Sequence, residues 1–123
     1  MVLVVGGKSQ GKLDFVLNKY SLTAEDAADG VLDKDKKIIY NLQDFVLDCL
    51  EKGEDPLSKA ESFVSENKHK IFICNEVGYG IVPIEKIQRQ YRDCVGKICC
   101  YIAKNSNTVY RVVCGIPQVI KDV

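Results

Sequence analysis

A glycine-rich loop near the start of the sequence, at residues 6–13, carries the clearest chemical signal. It follows the phosphate-binding pattern G-x-x-x-x-G-K-[ST] except at its last position, where Leu13 stands in place of Ser or Thr. Glycines let backbone N–H groups turn towards an anion, and Lys12 would bring a positive charge to the outer phosphates, whereas the missing hydroxyl would have held Mg²⁺. The predicted nucleotide-binding residues are Gly6, Gly7, Lys8, Ser9, Gln10, Gly11, Lys12 and Leu13.

The elements around this loop support the interpretation. Val2–Val5 is a short apolar run typical of a buried parallel strand, and Leu13, Val16 and Leu17 follow at helical spacing. A strand, a glycine turn and a helix in this order would place a phosphate at a helix N-terminus. A plain glycine turn after a strand is the alternative, because short motifs also occur by chance.

A second candidate site lies at residues 75–83, directly after the predicted strand Ile71–Cys74. Gly78 and Gly80 would let this loop approach a ligand closely, and Glu76 places a carboxylate at its base. Glu76 could be a Mg²⁺ partner or a general base. Equally, it could cap a helix or pair with a basic residue, and the residues alone leave these alternatives open.

The remaining pattern predicts strands alternating with helices. Strands are expected at residues 2–5, 37–41, 71–74 and 108–114. Four helices are expected: one at residues 11–19, one that ends at Gly53, one that begins at Asp55-Pro56, and one along the apolar stripe Ile84–Ile102. Ser21–Lys37 is interpreted as a short helix or loop, with Thr23 as N-cap and Asp26 three residues on. This alternation predicts the α/β class, with a small, mostly parallel sheet of about four strands flanked by helices.

The expected sheet places both candidate loops at one edge. Ligands bind beyond the carboxyl ends of the strands in such folds. We therefore expect residues 6–13, 41–44, 75–83 and 115–120 to converge on one crevice.

Composition narrows the class of protein. A chain of 123 residues fits a single domain, residues 1–123. Lys plus Arg equals Asp plus Glu, at 17 each, and no basic stripe predicts nucleic-acid binding. No apolar run reaches the roughly 18 residues of a membrane span, and the start of the chain lacks a signal-peptide layout, so a cytoplasmic location is expected. The six cysteines, without a C-x-x-C pair, are interpreted as reduced structural thiols.

The pattern N-E-V-G-x-G-I-V-P at residues 75–83 resembles the adenosylcobinamide kinase / adenosylcobinamide-phosphate guanylyltransferase family of cobalamin biosynthesis. The likeness continues at Arg89, Tyr91-Arg92-Asp93, Gly96, Val112–Pro117 and Ile120-Lys121, and in part of the loop at 6–12. It implies a three-layer P-loop NTPase-like fold that binds ATP or GTP with Mg²⁺, a corrinoid precursor as a further ligand, and a homo-oligomer.

The resemblance also implies roles for individual residues. Lys12 and Glu76 would be catalytic, and Glu76 would also be the metal ligand. The expected substrate loop consists of Asn75, Gly78, Gly80 and Arg92.

The sequence departs from the family where chemistry is concentrated. Family members are longer, and Ser21–Lys37 matches neither the further strand nor the guanylylated histidine that they carry in that region. The one histidine, His69, lies elsewhere in the sequence. Leu13 replaces the loop hydroxyl, Asn41 stands where the family has a strand-end Asp, and Cys99-Cys100 replaces an Asn-Gln pair.

These departures point to reduced chemistry, because phosphoryl transfer depends on metal charge and guanylyl transfer needs a nucleophile. We expect a shortened, divergent family member that binds a purine nucleoside triphosphate without the full bifunctional activity. If it is active, a kinase-type phosphotransferase is expected. The alternative is a non-catalytic sensor or interaction protein for a nucleotide or a corrinoid.

Overall fold

The structure, a computed structural model, describes residues 1–77 and 86–123 of the chain. Its strands are β1 (Val2–Gly6), β2 (Ala27–Asp29), β3 (Ile38–Tyr40), β4 (Ile71–Asn75), β5 (Thr108–Val113) and β6 (Ile116–Asp122). Its helices are α1 (Lys12–Tyr20), α2 (Leu42–Glu51), α3 (Pro56–Glu66) and α4 (Lys86–Asn105), with a 3₁₀ turn at Ala24–Asp26. None of these helices is long and apolar enough to cross a membrane.

The strands form one sheet in the order β2-β3-β4-β1-β5-β6. All neighbouring pairs are parallel except β5 and β6, which are antiparallel. The central strand β1 pairs along its length with β4 on one side and with β5 on the other. The loop that leaves β1 is therefore flanked by the carboxyl ends of β4 and β5.

Two apolar layers cover the two faces of the sheet. One contains Leu3 and Phe72 with buried residues of α2, α3 and α4, and the other contains Val4 and Ile73 with Val16 of α1. Neighbouring residues of a strand point to opposite faces, so a continuous apolar run supplies both layers at once. This is the predicted three-layer α/β arrangement with a mostly parallel sheet.

Two predicted helix starts, at Thr23 and Asp55, are confirmed, and in both the capping hydrogen bonds join residues two or three positions apart. The Asp55 carboxylate accepts hydrogen bonds from the backbone N–H groups of Leu57 (3.1 Å) and Ser58 (3.4 Å), and Pro56 occupies the first helical position. The Thr23 N–H donates to the Asp26 carboxylate (2.9 Å) at the start of the 3₁₀ turn.

The expected count of about four strands is too low, since the described residues form six. Ser21–Lys37, interpreted as a helix or loop, contains β2, which gives no strand signal because it is only three residues long and has no β-branched or aromatic residue. Residues 115–120, expected as a loop, lie mostly in β6. Cys114 (φ 51°) and Gly115 (φ 76°) form a two-residue left-handed turn that folds β6 back on β5, and Cys114, expected within a strand, is exposed there.

Ile98 tests the docking of α4, because its side chain is fully buried (0% exposed) against the sheet. We expect Ile98→Ala to lower the free energy of unfolding by about 2–5 kcal/mol, since it removes buried methyl groups and leaves a cavity. The neighbouring exposed Lys97 provides the control, and Lys97→Ala should change that energy by less than about 0.5 kcal/mol. Urea denaturation measures both, and equal effects would contradict the packing of α4.

Candidate functional site

The glycine-rich loop joins β1 to α1 through a backbone that tolerates few side chains. Ser9 (φ 60°) and Gly11 (φ 87°) lie in the left-handed region. A Cβ atom on Gly6 would lie 2.5 Å from the carbonyl oxygen of Val112 on β5. The loop can therefore keep this path beside β5 only with glycine at position 6.

Lys12 lies in the first turn of α1 and is almost fully buried, at 5% exposed. Its Nζ donates a hydrogen bond to the carbonyl oxygen of Gly7 (2.7 Å) and so lies under the loop. Burial lowers the pKa of Lys12, and the nearby Cys74 and Glu76 partly oppose that shift. A bound anion would favour the charged ammonium further, because an opposite charge at short range stabilises it.

The turn between β5 and β6 lies against the loop from the other side. The Gln10 side-chain oxygen accepts a hydrogen bond from the Cys114 N–H (2.7 Å), and the Gln10 carbonyl accepts one from the Gly115 N–H (2.8 Å). A Cβ atom on Gly11 would lie 3.3 Å from the Cα of Gly115. Of the expected segment 115–120, Gly115 at its start contacts the loop.

A chain of side-chain amides links the ends of three strands. Asn41, which follows β3, donates through Nδ2 to the carboxylate of Asp29 on β2 (2.7 Å). The Asn41 oxygen accepts from Nε2 of Gln43 (3.1 Å), and the Gln43 oxygen accepts from the backbone N–H of Asn75 on β4 (2.9 Å). Gln43 is 5% exposed. Gln43 lies within the expected segment 41–44, and a glutamine among the apolar residues at the start of α2 was an available signal for its role, whereas Asp29 was not predicted.

Glu76 is held by an arginine on β5. Two nitrogens of the Arg111 guanidinium donate to the two carboxylate oxygens, with Nε–Oε1 at 2.6 Å and Nη2–Oε2 at 3.2 Å. The backbone N–H of Glu76 donates to the carbonyl of Gly6 (2.8 Å). Of the alternatives that the sequence left open, the structure shows the pairing with a basic residue. Arg111 was not predicted as the partner, because it is far from Glu76 in the chain.

A cleft of ≈ 630 Å³ opens above these strand ends. Its walls come from the loop, the first turns of α1 and α2, the ends of β3 and β4, and one tyrosine of α4: Lys8, Ser9, Gln10, Gly11, Lys12, Leu13, Asp14, Tyr40, Asn41, Gln43, Asp44, Asn75 and Tyr91. Burial, together with nearby Cys74 and Asp44, raises the pKa of Tyr91 to about 12. The cleft thus joins three of the segments that were expected to converge.

Other expected site residues lie apart from this cleft. Arg92 lines a groove with Leu57 and Glu61 of α3. Glu76 lines a smaller cavity of ≈ 200 Å³ with Cys99. Gly78 and Gly80 lie outside the described residues.

His69 lies at the opposite edge of the sheet. It is exposed and lines a cavity with Met1 and Asn107, which precede β1 and β5. That cavity is at the amino ends of the parallel strands, whereas the phosphate-binding loop is at their carboxyl ends.

The model of the cobinamide kinase / cobinamide phosphate guanyltransferase family, CobU, matches residues 39–120, more than half of the chain. The chain belongs to this family. The bifunctional adenosylcobalamin biosynthesis protein CobU of Escherichia coli (strain K12) is 41% identical to it over 51 residues, and that of Salmonella typhimurium (strain LT2) is 39% identical over 51 residues. Each alignment covers 42% of this chain and 28% of the relative, so the matched segment spans less than a third of either CobU protein.

Family membership confirms the resemblance and agrees with the α/β fold. The match includes Asn41, Asn75 and Glu76, but it begins after the loop at 6–13. The assignment of that loop therefore depends on its motif and on the geometry around Lys12.

The side chains at the cleft do not form a ready Mg²⁺ site. Within residues 1–77 and 86–123, no group of three or more His, Cys, Asp and Glu side chains could hold a metal ion. Leu13 offers no oxygen, Asn41 is hydrogen-bonded at both ends of its amide, and Glu76 is paired with Arg111.

Gly6 and Gly7 provide a matched test of the loop geometry. We expect Gly6→Ala to lower the free energy of unfolding by about 1–3 kcal/mol, because its Cβ would overlap the Val112 carbonyl and the loop or β5 must move. In Gly7→Ala the new Cβ would meet, among the described residues, only the Gln10 side chain at an ordinary 3.5 Å, so the effect should be smaller. Thermal or urea unfolding of both variants measures this difference, and similar losses would contradict the close approach at Gly6.

Proposed function

We propose that this chain binds a purine nucleoside triphosphate, ATP or GTP, in the cleft above Lys12 and acts in cobalamin biosynthesis. The observation that carries the proposal is the buried Lys12 ammonium, which lies under a glycine-rich loop at the N-terminus of α1. Backbone N–H groups and the helix dipole favour an anion at that position. The phosphates would contact the loop and Lys12, and the rest of the ligand would extend towards Tyr40 and Tyr91.

A corrinoid precursor is the proposed second ligand. Its support is family membership together with the names of the two CobU relatives, which are adenosylcobalamin biosynthesis proteins. Asn75, at the end of β4, would contribute to its site, since that residue lines the cleft. The homo-oligomer and the cytoplasmic location expected from the sequence remain predictions.

We further propose that the chain lacks the full bifunctional activity. Covalent guanylyl transfer needs a nucleophile beside the nucleotide, and the one histidine of the chain lies at the other edge of the sheet. Lys12 would keep a kinase-type role by stabilising the outer phosphates, and Glu76 would keep a catalytic or metal role only if Arg111 released it. The alternative, a nucleotide or corrinoid sensor, uses the same cleft without turnover.

Nucleotide binding is tested with Lys12→Met, which removes the charge but keeps an unbranched side chain. At about 100 times its dissociation constant, ATP or GTP should stabilise the wild-type protein by roughly 2.7 kcal/mol, which thermal unfolding detects. We expect Lys12→Met to bind at least tenfold more weakly, a loss of about 1.4 kcal/mol. Lys19→Met, in the exposed last turn of the same helix, is the control and should bind like the wild type. No stabilisation of the wild type by either nucleotide would contradict the proposal.

Turnover is tested by incubating the protein with GTP and with ATP, each with adenosylcobinamide. We expect no guanylylated protein by intact mass, because no histidine lies at the cleft. A stable guanylyl adduct would contradict this part of the proposal. Formation of a phosphorylated corrinoid would identify a kinase, whereas nucleotide binding without product would identify a sensor.

A further inference from the structure

We infer that this cleft binds nucleotide phosphates without a magnesium ion, using Lys12, Lys8 and backbone N–H groups to meet the phosphate charge. The inference rests on the proposed function and concerns the same site. Proteins with a phosphate-binding loop generally hold Mg²⁺ with the loop Ser or Thr and with a strand-end Asp. In this chain the side chains at those positions take part in other contacts.

The loop position is apolar. Leu13 lies in the first turn of α1 and packs against the apolar layer formed by Val4 and Val16. Its side chain has no oxygen, and its packing gives it a structural role.

At the strand-end position the chain has Asn41, and the contacts around it require an amide. Asn41 donates to Asp29 (2.7 Å) and accepts from Gln43 (3.1 Å), so both ends of its side chain are in use. An ionised carboxylate at position 41 could not donate to Asp29 and would repel it. The network therefore selects asparagine, which brings no charge to a metal.

The other candidate ligand, Glu76, is bound to a cation. Both of its oxygens contact Arg111, at 2.6 Å and 3.2 Å, and its side chain is only 15% exposed. Mg²⁺ binding at Glu76 would have to displace the guanidinium or bring a divalent cation close beside it. Such a bidentate, partly buried pair is costly to break.

Two carboxylates at the cleft remain as competing metal ligands. Asp14 and Asp44 line its mouth, in the first turns of α1 and α2, and both are exposed. Mg²⁺ can bind through one or two carboxylates plus the substrate phosphates. The test must therefore separate a metal held at Asp44 from binding without metal.

The protein itself supplies positive charge at the loop. Lys12 is buried under it, and Lys8 is exposed within it and lines the cleft. The first N–H groups of α1 add partial positive charge at the same place. These groups can meet an outer phosphate directly, without a bridging metal.

The deciding measurement is calorimetric titration of the wild-type protein with ATP and with GTP, in excess EDTA and in excess Mg²⁺. We expect the affinity in EDTA to equal or exceed the affinity in Mg²⁺. Binding more than tenfold tighter with Mg²⁺, about 1.4 kcal/mol, would overturn the inference and leave the proposed function standing. No binding under either condition would overturn both. Loss of a Mg²⁺ requirement in Asp44→Asn would show that the metal is held there, and the inference would be wrong.

Asn41→Asp provides a gain-of-function test, because it places a second carboxylate beside Asp29 at the end of β3. We expect Mg²⁺ to strengthen nucleotide binding in this variant. The control, Asn18→Asp, adds the same charge at an exposed position of α1 and should keep the wild-type response. An unchanged response in a folded Asn41→Asp protein would contradict the assignment of position 41. The wild-type titration decides the inference even if that variant does not fold.

Discussion

The site depends on the close approach of β1 to β5 at Gly6. There the strand end lies so near the Val112 carbonyl that a side chain would overlap it, and the Glu76 N–H binds the Gly6 carbonyl from the other neighbour, β4. The loop therefore starts from a point that is held on both sides. From that point it turns through left-handed residues into α1 and brings the Lys12 ammonium under its own backbone. The proposed anion binding depends on this constraint.

Charge pairing determines what else the site can do. Glu76, the carboxylate expected to be catalytic and to bind the metal, is paired with Arg111 of β5. The amides of Asn41 and Gln43 join the ends of β2, β3 and β4 through hydrogen bonds to Asp29 and Asn75. Hydrogen-bonded polar groups of this kind hold a site in place, whereas a free carboxylate would be available to a metal. The polar side chains at this end of the sheet therefore bind one another and connect the strands, beside the loop that carries Lys8 and Lys12.

The family match covers one wall of the cleft and not the other. The matched residues 39–120 include the strand ends and helices that form one wall of the cleft. The loop that carries Lys12 forms the other wall and lies before the match. Under the proposed function, this CobU-family chain keeps a phosphate-binding loop, whereas other residues occupy the positions that the family resemblance assigns to a metal and to a covalent intermediate. Membership in the family agrees with the fold, whereas the ligand and the reaction are proposed for this chain.

The sequence by itself determined the features that depend on neighbouring residues. Apolar periodicity predicted the α/β class, local caps predicted the starts at Thr23 and Asp55, and the glycine spacing predicted the loop, because each signal lies within a few residues. Only the tertiary structure decided the pairs that join distant segments, such as Glu76 with Arg111 and Gln43 with Asn75. It also decided that Tyr91 and not Arg92 faces the cleft, since the rotation of α4 is set by packing. The strands β2 and β6 were not predicted for the same reason, because each forms by pairing with the strand beside it.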